Sequence, residues 1–312
     1  MSLSRLVAVL ALTLLVLPVS AEPIPEKLEL VKVTDRVYSA IGATAPGTYD
    51  NHGHNNNLSF IVGEEGVVVF NGGDNYKLAQ SFHNAIKSIT DKPVKYVANE
   101  NAQGHSMLGN SYWRDQGVPI IAQDFAVDEF AHHGEAKLAR MKARNKDKGE
   151  GTYVAVPDIS FTDRYELDLG GLAVELLYFG AGHAPGDIAL WVPEEKLLIT
   201  GDLGFHQRLL AVFEDTAVGA WIDSFDKMTE QLDPVIVIPG HGEPTTIDVV
   251  EKETKGYLVF LRDSVIEILE RGGGLDDAYA LDQSQWSYLD TFEELAAKNA
   301  GRVYQDLEFD FF

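Results

Sequence analysis

Residues 179–202 read FGAGHAPGDIALWVPEEKLLITGD. The first third is a glycine-bearing polar loop, Gly180–Asp187, that carries His183. Asp187–Val192 and Lys196–Thr200 are strand-length apolar runs separated by a Pro-Glu-Glu turn. The second run ends on Gly201-Asp202. Two strands thus sit beside loops holding an imidazole and a carboxylate.

The same pattern recurs on either side. Val94–Ala98 reads as a strand and is followed by the polar segment Asn99–Ser106, which holds His105. Val235–Ile238 reads as a strand that runs into Pro239-Gly240-His241-Gly242. Upstream, alternation marks a strand-like segment Leu28–Ile41. A long Gly/Asn-rich loop follows over Gly42–Asn57, then a hairpin of Leu58–Val62 with Val67–Phe70 around Glu64-Glu65-Gly66. Helical spacing over Leu78, Phe82, Ile86 and Ile89 predicts a helix at Tyr76–Ile89. Further helices are expected at Met107–Asp115 and from Asp124, as N-cap, to about Lys146. Strands are expected at Val118–Ala122, Tyr165–Leu169 and Leu172–Phe179, and a helix at Val218–Gln231. From Ile247 onward the pattern is helical with a glycine break at Gly272–Gly274. Strands interleaved with helices give a mixed α/β class in which helices cover sheet faces.

Composition narrows the partners. The formal net charge is −23, a field that repels nucleic acid and anionic lipid, so neither is an expected partner. There is no cysteine, which removes thiolate ligands and thiol nucleophiles and leaves an exported fold to rely on its core. Arg5 followed by the apolar run Leu6–Leu17 and the small residues before Glu22 reads as a secretory signal peptide cut after Ala21. The expected organisation is a signal peptide at 1–21, a mixed α/β domain at 22–245 and a helical extension packed on it at 246–312. The expected location is periplasmic or secreted, with no membrane association beyond export.

A lone histidine in a loop usually faces solvent. Here His105, His183, His241 and Asp202 all lie where strands give way to loops, the position at which α/β proteins gather their chemistry. Imidazole plus carboxylate is a ligand set for zinc or a similar divalent ion.

At this point a family resemblance emerges. GVVVFNGGDN, VKYVANENAQGHSMLGN, FGAGHAPGDIALWVPEEKLLITGD and PVIVIPGHGEP match, in order and spacing, the metallo-β-lactamase superfamily over roughly residues 30–245. The tail around Arg302–Glu308 also resembles the C-terminal helix of some periplasmic members. The resemblance implies a four-layer αββα sandwich with metal ions at one edge of its two sheets. It also implies a departure. Aligned on Leu108-Gly109-Asn110, the family's His-x-His-x-Asp-His motif is replaced by Asn101-Ala102-Gln103-Gly104-His105-Ser106. Asn101 and Gln103 stand for two histidines, and amide oxygens are poor zinc donors. One family site is then expected to be weak or lost. The other retains three ligands, His105, Asp202 and His241, and His183 stands as a further ligand or as a general base. On this reading Asn101→Ala does little to metal affinity. His52 and His54, in the loop that the family hangs over the metal edge, are candidate replacements for the missing imidazoles. Asp187 is read as structural, and Phe205, Trp221 and Trp286 as core.

Two functions remain open from sequence. One is an exported hydrolase using a single zinc ion on a small-molecule ester, thioester, lactone or amide, β-lactams included, with Asp202 and His183 in the catalytic roles. The other is a non-catalytic binding or accessory protein, with no metal, that kept the scaffold.

Overall fold

The computed structural model describes residues 23–311, so the expected signal peptide lies outside the described residues. Twelve strands and nine α-helices follow one another along the described chain. They run β1 (Val31–Lys32), β2 (Val37–Ala40), β3 (Leu58–Val62), β4 (Val67–Phe70), α1 (Tyr76–Lys87), β5 (Val94–Ala98), α2 (Gly104–Met107), α3 (Asn110–Asp115), β6 (Ile120–Gln123) and α4 (Asp124–Asn145). Then come β7 (Ile159–Phe161), β8 (Arg164–Asp168), β9 (Ala173–Leu177), β10 (Ala189–Val192), β11 (Leu197–Phe205), α5 (Val218–Gln231), β12 (Ile236–His241), α6 (Ile247–Glu253), α7 (Lys255–Glu270), α8 (Leu275–Tyr279) and α9 (Phe292–Phe311).

The strands form two sheets, ordered β1-β2-β3-β4-β5-β6-β7 and β12-β11-β10-β9-β8. Apolar side chains cover both faces of each sheet, which forces four layers. Val68, Phe70 and Ile121 of the first sheet meet Leu176, Leu190 and Ile199 of the second in a shared core. The outer face of the first sheet, with Phe60 and Val69, is closed by Leu78, Phe82 and Trp113 of α1 and α3. The outer face of the second is closed by Trp221, Leu261 and Val303 of α5, α7 and α9. The helices after residue 246 therefore share a core with the second sheet. This is the αββα sandwich with a helical extension.

Four local expectations change. Gln123, not Asp124, caps α4: its side chain accepts from the Phe125 N–H at 2.6 Å, while Asp124 takes the Thr162 hydroxyl. The helix expected at Met107–Asp115 is two short ones meeting at Leu108-Gly109. There a side chain on Gly109 would strike the Gly72 carbonyl at 2.1 Å. Residues 159–161 form an edge strand that three residues of alternation were too short to announce. Gly201-Asp202 is not a loop but the middle of β11, whose pairing with β12 slips around Gly201. Gly201 takes φ +54°, and a Cβ there would meet Glu100 Oε2 at 2.7 Å. The slip is what delivers Asp202 to the site from inside a strand.

Candidate metal centre

Three side chains expected to hold metal converge. One ligand atom from each of His105, Asp202 and His241 lies within 4.8 Å of the others, and all three residues are buried. His105 is delivered by α2 just beyond β5, Asp202 by the slipped β11 and His241 by the end of β12. His105 Nε2 is 3.4 Å from Asp202 Oδ2, and His241 Nε2 is 3.2 Å from Asp202 Oδ1. Tetrahedral zinc with bonds of about 2.0–2.1 Å spaces its ligand atoms by about 3.3 Å. The donor set fits such an ion.

The surroundings hold these ligands in the forms a metal needs. His241 Nδ1 is tied to the Asn55 carbonyl, which places its proton there and leaves Nε2 as the donor. Arg208 Nη1 also lies 3.2 Å from that Nδ1. A guanidinium cannot accept, and the carbonyl contact is the shorter, so Arg208 acts here mainly as a nearby charge. Asn55 belongs to the long Gly/Asn loop, which therefore does cover the site. Asn57 anchors the same loop through the Pro239 and Gly242 carbonyls, at 2.8 and 2.7 Å.

Asn101 does something the sequence did not show. Its Oδ1 accepts the Gln103 N–H at 2.9 Å, so its NH₂ is what faces the centre, donating to Asp187 Oδ1 at 2.8 Å and Asp202 Oδ2 at 3.1 Å. The amide at the first histidine position is thus a bridge between two carboxylates, not an oxygen donor. Removing it would leave the Asp202 carboxylate without this donor. Gln103 occupies the N-cap position of α2 without a side-chain capping bond and lines the cleft. Asp187 is structural as expected, its Oδ2 taking the Ala184 N–H at 2.7 Å.

His183 stands beside the cluster, with Nε2 4.0 Å from Asp202 Oδ2. Its ring packs among Phe205, Phe213 and Trp221 with centroid distances of 5.0–5.6 Å, and its Nδ1 is buried without a hydrogen bond. His52 and His54 do not reach the three-ligand cluster. His52 Nδ1 contacts Lys148 Nζ at 2.9 Å, and His54 is buried enough to be pushed down to about 4. Phe205 and Trp221 are core residues, and Trp286 packs on Tyr257.

Glu100 was missed. It is fully buried, with Oε1 3.0 Å from His105 Nε2 and Oε2 without a hydrogen bond. Its one sequence signal was a carboxylate at the inner end of an apolar strand, directly before the altered motif. Three carboxylates, Glu100, Asp187 and Asp202, are therefore buried together. Burial, then the charge of Asp202, raises both Glu100 and Asp187 above the ordinary range. Burial opposes ionising Asp202 too, but His105 and His241 outweigh it and hold that carboxyl well below the usual value. Burial likewise works against charging His105, yet Asp202 and Glu100 prevail and raise it to about 10. Burial keeps His183 below its ordinary value and His241 down at about 4. Of the three carboxylates, Asp202 alone is thus held in its ionised form, facing His105 and His241.

The centre opens on a cleft of about 520 Å³ lined by His105, Gln103, Leu108, Arg140, Met141 and Phe213, among others.

Comparison with known proteins agrees with this architecture. A family model described as the metallo-β-lactamase superfamily matches residues 117–241, a span that includes His183, Asp202 and His241. A metallo-β-lactamase type 2 of Bacteroides fragilis is 24% identical over 240 residues, covering 73% of this chain and 84% of that one. Among solved structures, a metallo-β-lactamase from Pontibacter korlensis superposes with a TM-score of 0.61 at 19% identity, over 74% of this chain and 99% of its own. The stereoselective inverting sec-alkylsulfatase of a Pseudomonas species superposes with a TM-score of 0.68 at 19% identity, over 89% of this chain but 50% of its own. These likenesses concern the fold, and the last reaches into the C-terminal helices. The sandwich, the matched segment 117–241 and the ligand-bearing strand ends agree in making this chain similar to the metallo-β-lactamase superfamily.

Proposed function

We propose that this protein is an exported hydrolase that holds a single zinc ion on His105, Asp202 and His241 and cleaves a small-molecule ester, thioester, lactone or amide. The observation that carries the reading is the convergence of those three buried ligand atoms within 4.8 Å at the edge of an open cleft. An ion held there would supply Lewis acidity toward a carbonyl or similar oxygen and would lower the pKa of a water to near neutral pH. Asn101 fixes the carboxylate of Asp202, and the Asn55 carbonyl fixes the tautomer of His241. His183, kept neutral by burial and with Nδ1 unpartnered, is the side chain suited to taking and returning a proton beside the cluster. Phe205, Phe213 and Trp221 pack around that ring.

The support for a metal over a metal-free accessory role is electrostatic. Asp202 is held ionised, and His241 turns an unprotonated Nε2 toward it at 3.2 Å, so a divalent ion would satisfy both donors at once. Elemental analysis of purified and chelated protein, followed by assay on an ester, thioester, lactone and β-lactam panel, tests both readings. Metal content near one equivalent is expected, with His105→Ala and His241→Ala each lowering affinity by at least about tenfold. Less than about 0.2 equivalents of any transition metal, with no reloading, would favour the accessory role instead. Export rests on the sequence of residues 1–21, and N-terminal sequencing of the mature protein should begin at Glu22.

A further inference from the structure

Helix α4 turns one face toward the metal cleft. Lys137, Arg140, Met141 and Arg144 are spaced i, i+3, i+4 and i+7, which places them on one stripe, and all four line the cleft that His105 also lines. Three cations on one wall are unexpected in a chain of net charge −23. Two of them are neutralised: Lys137 Nζ lies 2.5 Å from Glu129, and Arg144 is paired with Asp74. Arg140, between them, is exposed and has neither an ion pair nor a hydrogen bond among the described residues. Leu108, Met141 and Phe213 supply apolar surface in the same cleft, and Phe213 is 47% exposed. Asp215 also lines the cleft, as do Asp74 and Glu129.

We propose that Arg140 is the anion-binding residue of this cleft, and that the ligand is a small amphipathic molecule carrying a carboxylate. The carboxylate pairs with Arg140, and the apolar body lies on Leu108, Met141 and Phe213. The scissile carbonyl is thereby presented to His105, Asp202 and His241, which makes this a deepening of the hydrolase reading and dependent on it. A guanidinium offers a planar pair of donors that matches a carboxylate, and its neighbours' own pairings keep Lys137 and Arg144 from competing for the anion. A single exposed charge contributes little alone, and the adjoining apolar surface is what makes the pairing selective.

The test is a calorimetric titration of the purified protein, as isolated and after chelation, with 4-phenylbutyrate and its neutral counterpart 4-phenylbutanamide. The acid should bind about tenfold more tightly than the amide, the size of one charge-assisted contact. Arg140→Gln should abolish that preference, Arg140→Lys should keep part of it, and Lys142→Gln, a charge change on the same helix outside the cleft, should keep all of it. Equal binding of acid and amide by the wild type overturns the proposal. So does a preference that survives Arg140→Gln, whichever group then holds the anion. Neither arm depends on turnover. A protein that discriminates through Arg140 yet holds no metal refutes the hydrolase reading and leaves the anion site standing.

Discussion

His105 Nε2 lies 3.0 Å from Glu100 Oε1. The same nitrogen faces Asp202 Oδ2 at 3.4 Å, so a single ring position is offered to two buried carboxylates. A proton there is held until about pH 10, against the cost of burial, because Asp202 and Glu100 both stabilise it. A metal ion needs that nitrogen deprotonated. Zinc binding at pH 7 should therefore release about one proton per ion, and affinity should rise about tenfold per pH unit through neutrality. Calorimetry in buffers of different ionisation enthalpy reads the proton count directly. Glu100→Gln removes one of the two carboxylates and should lower the number released at pH 8. Zinc uptake with no proton release in the wild type would mean that His105 is not a ligand.

Asn101 leads to a second expectation. Without its NH₂, Asp187 and Asp202 lose a shared donor while both stay buried. Asn101→Ala should cost about 1–3 kcal/mol of stability, the range for an unsatisfied buried polar group. It should also weaken metal binding about tenfold by releasing the orientation of Asp202. Urea denaturation and a competitive chelator titration measure the two effects. Unchanged metal affinity would restore the simpler view of Asn101 as a lost ligand with no present role.

The legibility of this molecule in its sequence followed physical range. The hairpin β3–β4, the helix at 76–87 and the strand ends bearing His105 and His241 are local features, set by alternation, helical period and turn residues, and they were readable. The three-ligand set was readable only through the family resemblance, because nothing local says that residues 105, 202 and 241 meet. Asp202 was expected in a loop because a glycine after an apolar run looks like a strand end. The slip between β11 and β12 is a property of the pairing, visible in neither strand alone. Glu100 and the bridging amide of Asn101 escaped for the same reason. Their partners are 5 to 101 residues away in sequence, and a buried carboxylate is spelled no differently from an exposed one.

Histidine burial away from the centre gives a third prediction, with its sign fixed. His83 is pushed down to about 4 by burial, and next by Lys87, while its Nδ1 contacts the Tyr112 hydroxyl at 2.8 Å. In the unfolded chain it titrates near 6.5. The unfolded state therefore binds the proton first, and stability is present above about pH 6.5 and is lost as pH falls toward 4. Urea midpoints of wild type and His83→Gln, compared from pH 7 to pH 4, should show the wild type losing more over that window. Parallel profiles would mean that the ring protonates in place without penalty.

Asn299 of α9 connects the C-terminal helices to the cleft, and this connection supports a fourth prediction. Its Oδ1 accepts the Val212 N–H at 2.9 Å, and its Nδ2 donates to the Leu210 carbonyl at 2.8 Å and reaches the Tyr257 hydroxyl at 3.1 Å. The residue is buried, so each bond is made away from competing water. The next residue along, Phe213, packs on His183 at 5.0 Å between centroids, and Thr216 Oγ1 donates to the His183 carbonyl at 2.8 Å. The extension thus holds one wall of the site, with Asn299 as its buried contact beside those of Asp290, Thr291 and Arg302 with residues 207–214. Asn299→Ala should cost about 2 kcal/mol. It should also speed amide exchange at 210–216 while exchange in β11 and β12 stays slow. Asn299→Asp keeps the acceptor for Val212 but no donor for Leu210, so it should protect Val212 more than the alanine does. If the loss of stability appears without faster exchange in the 210–216 segment, Asn299 serves the helical core alone and the cleft wall is held by other contacts.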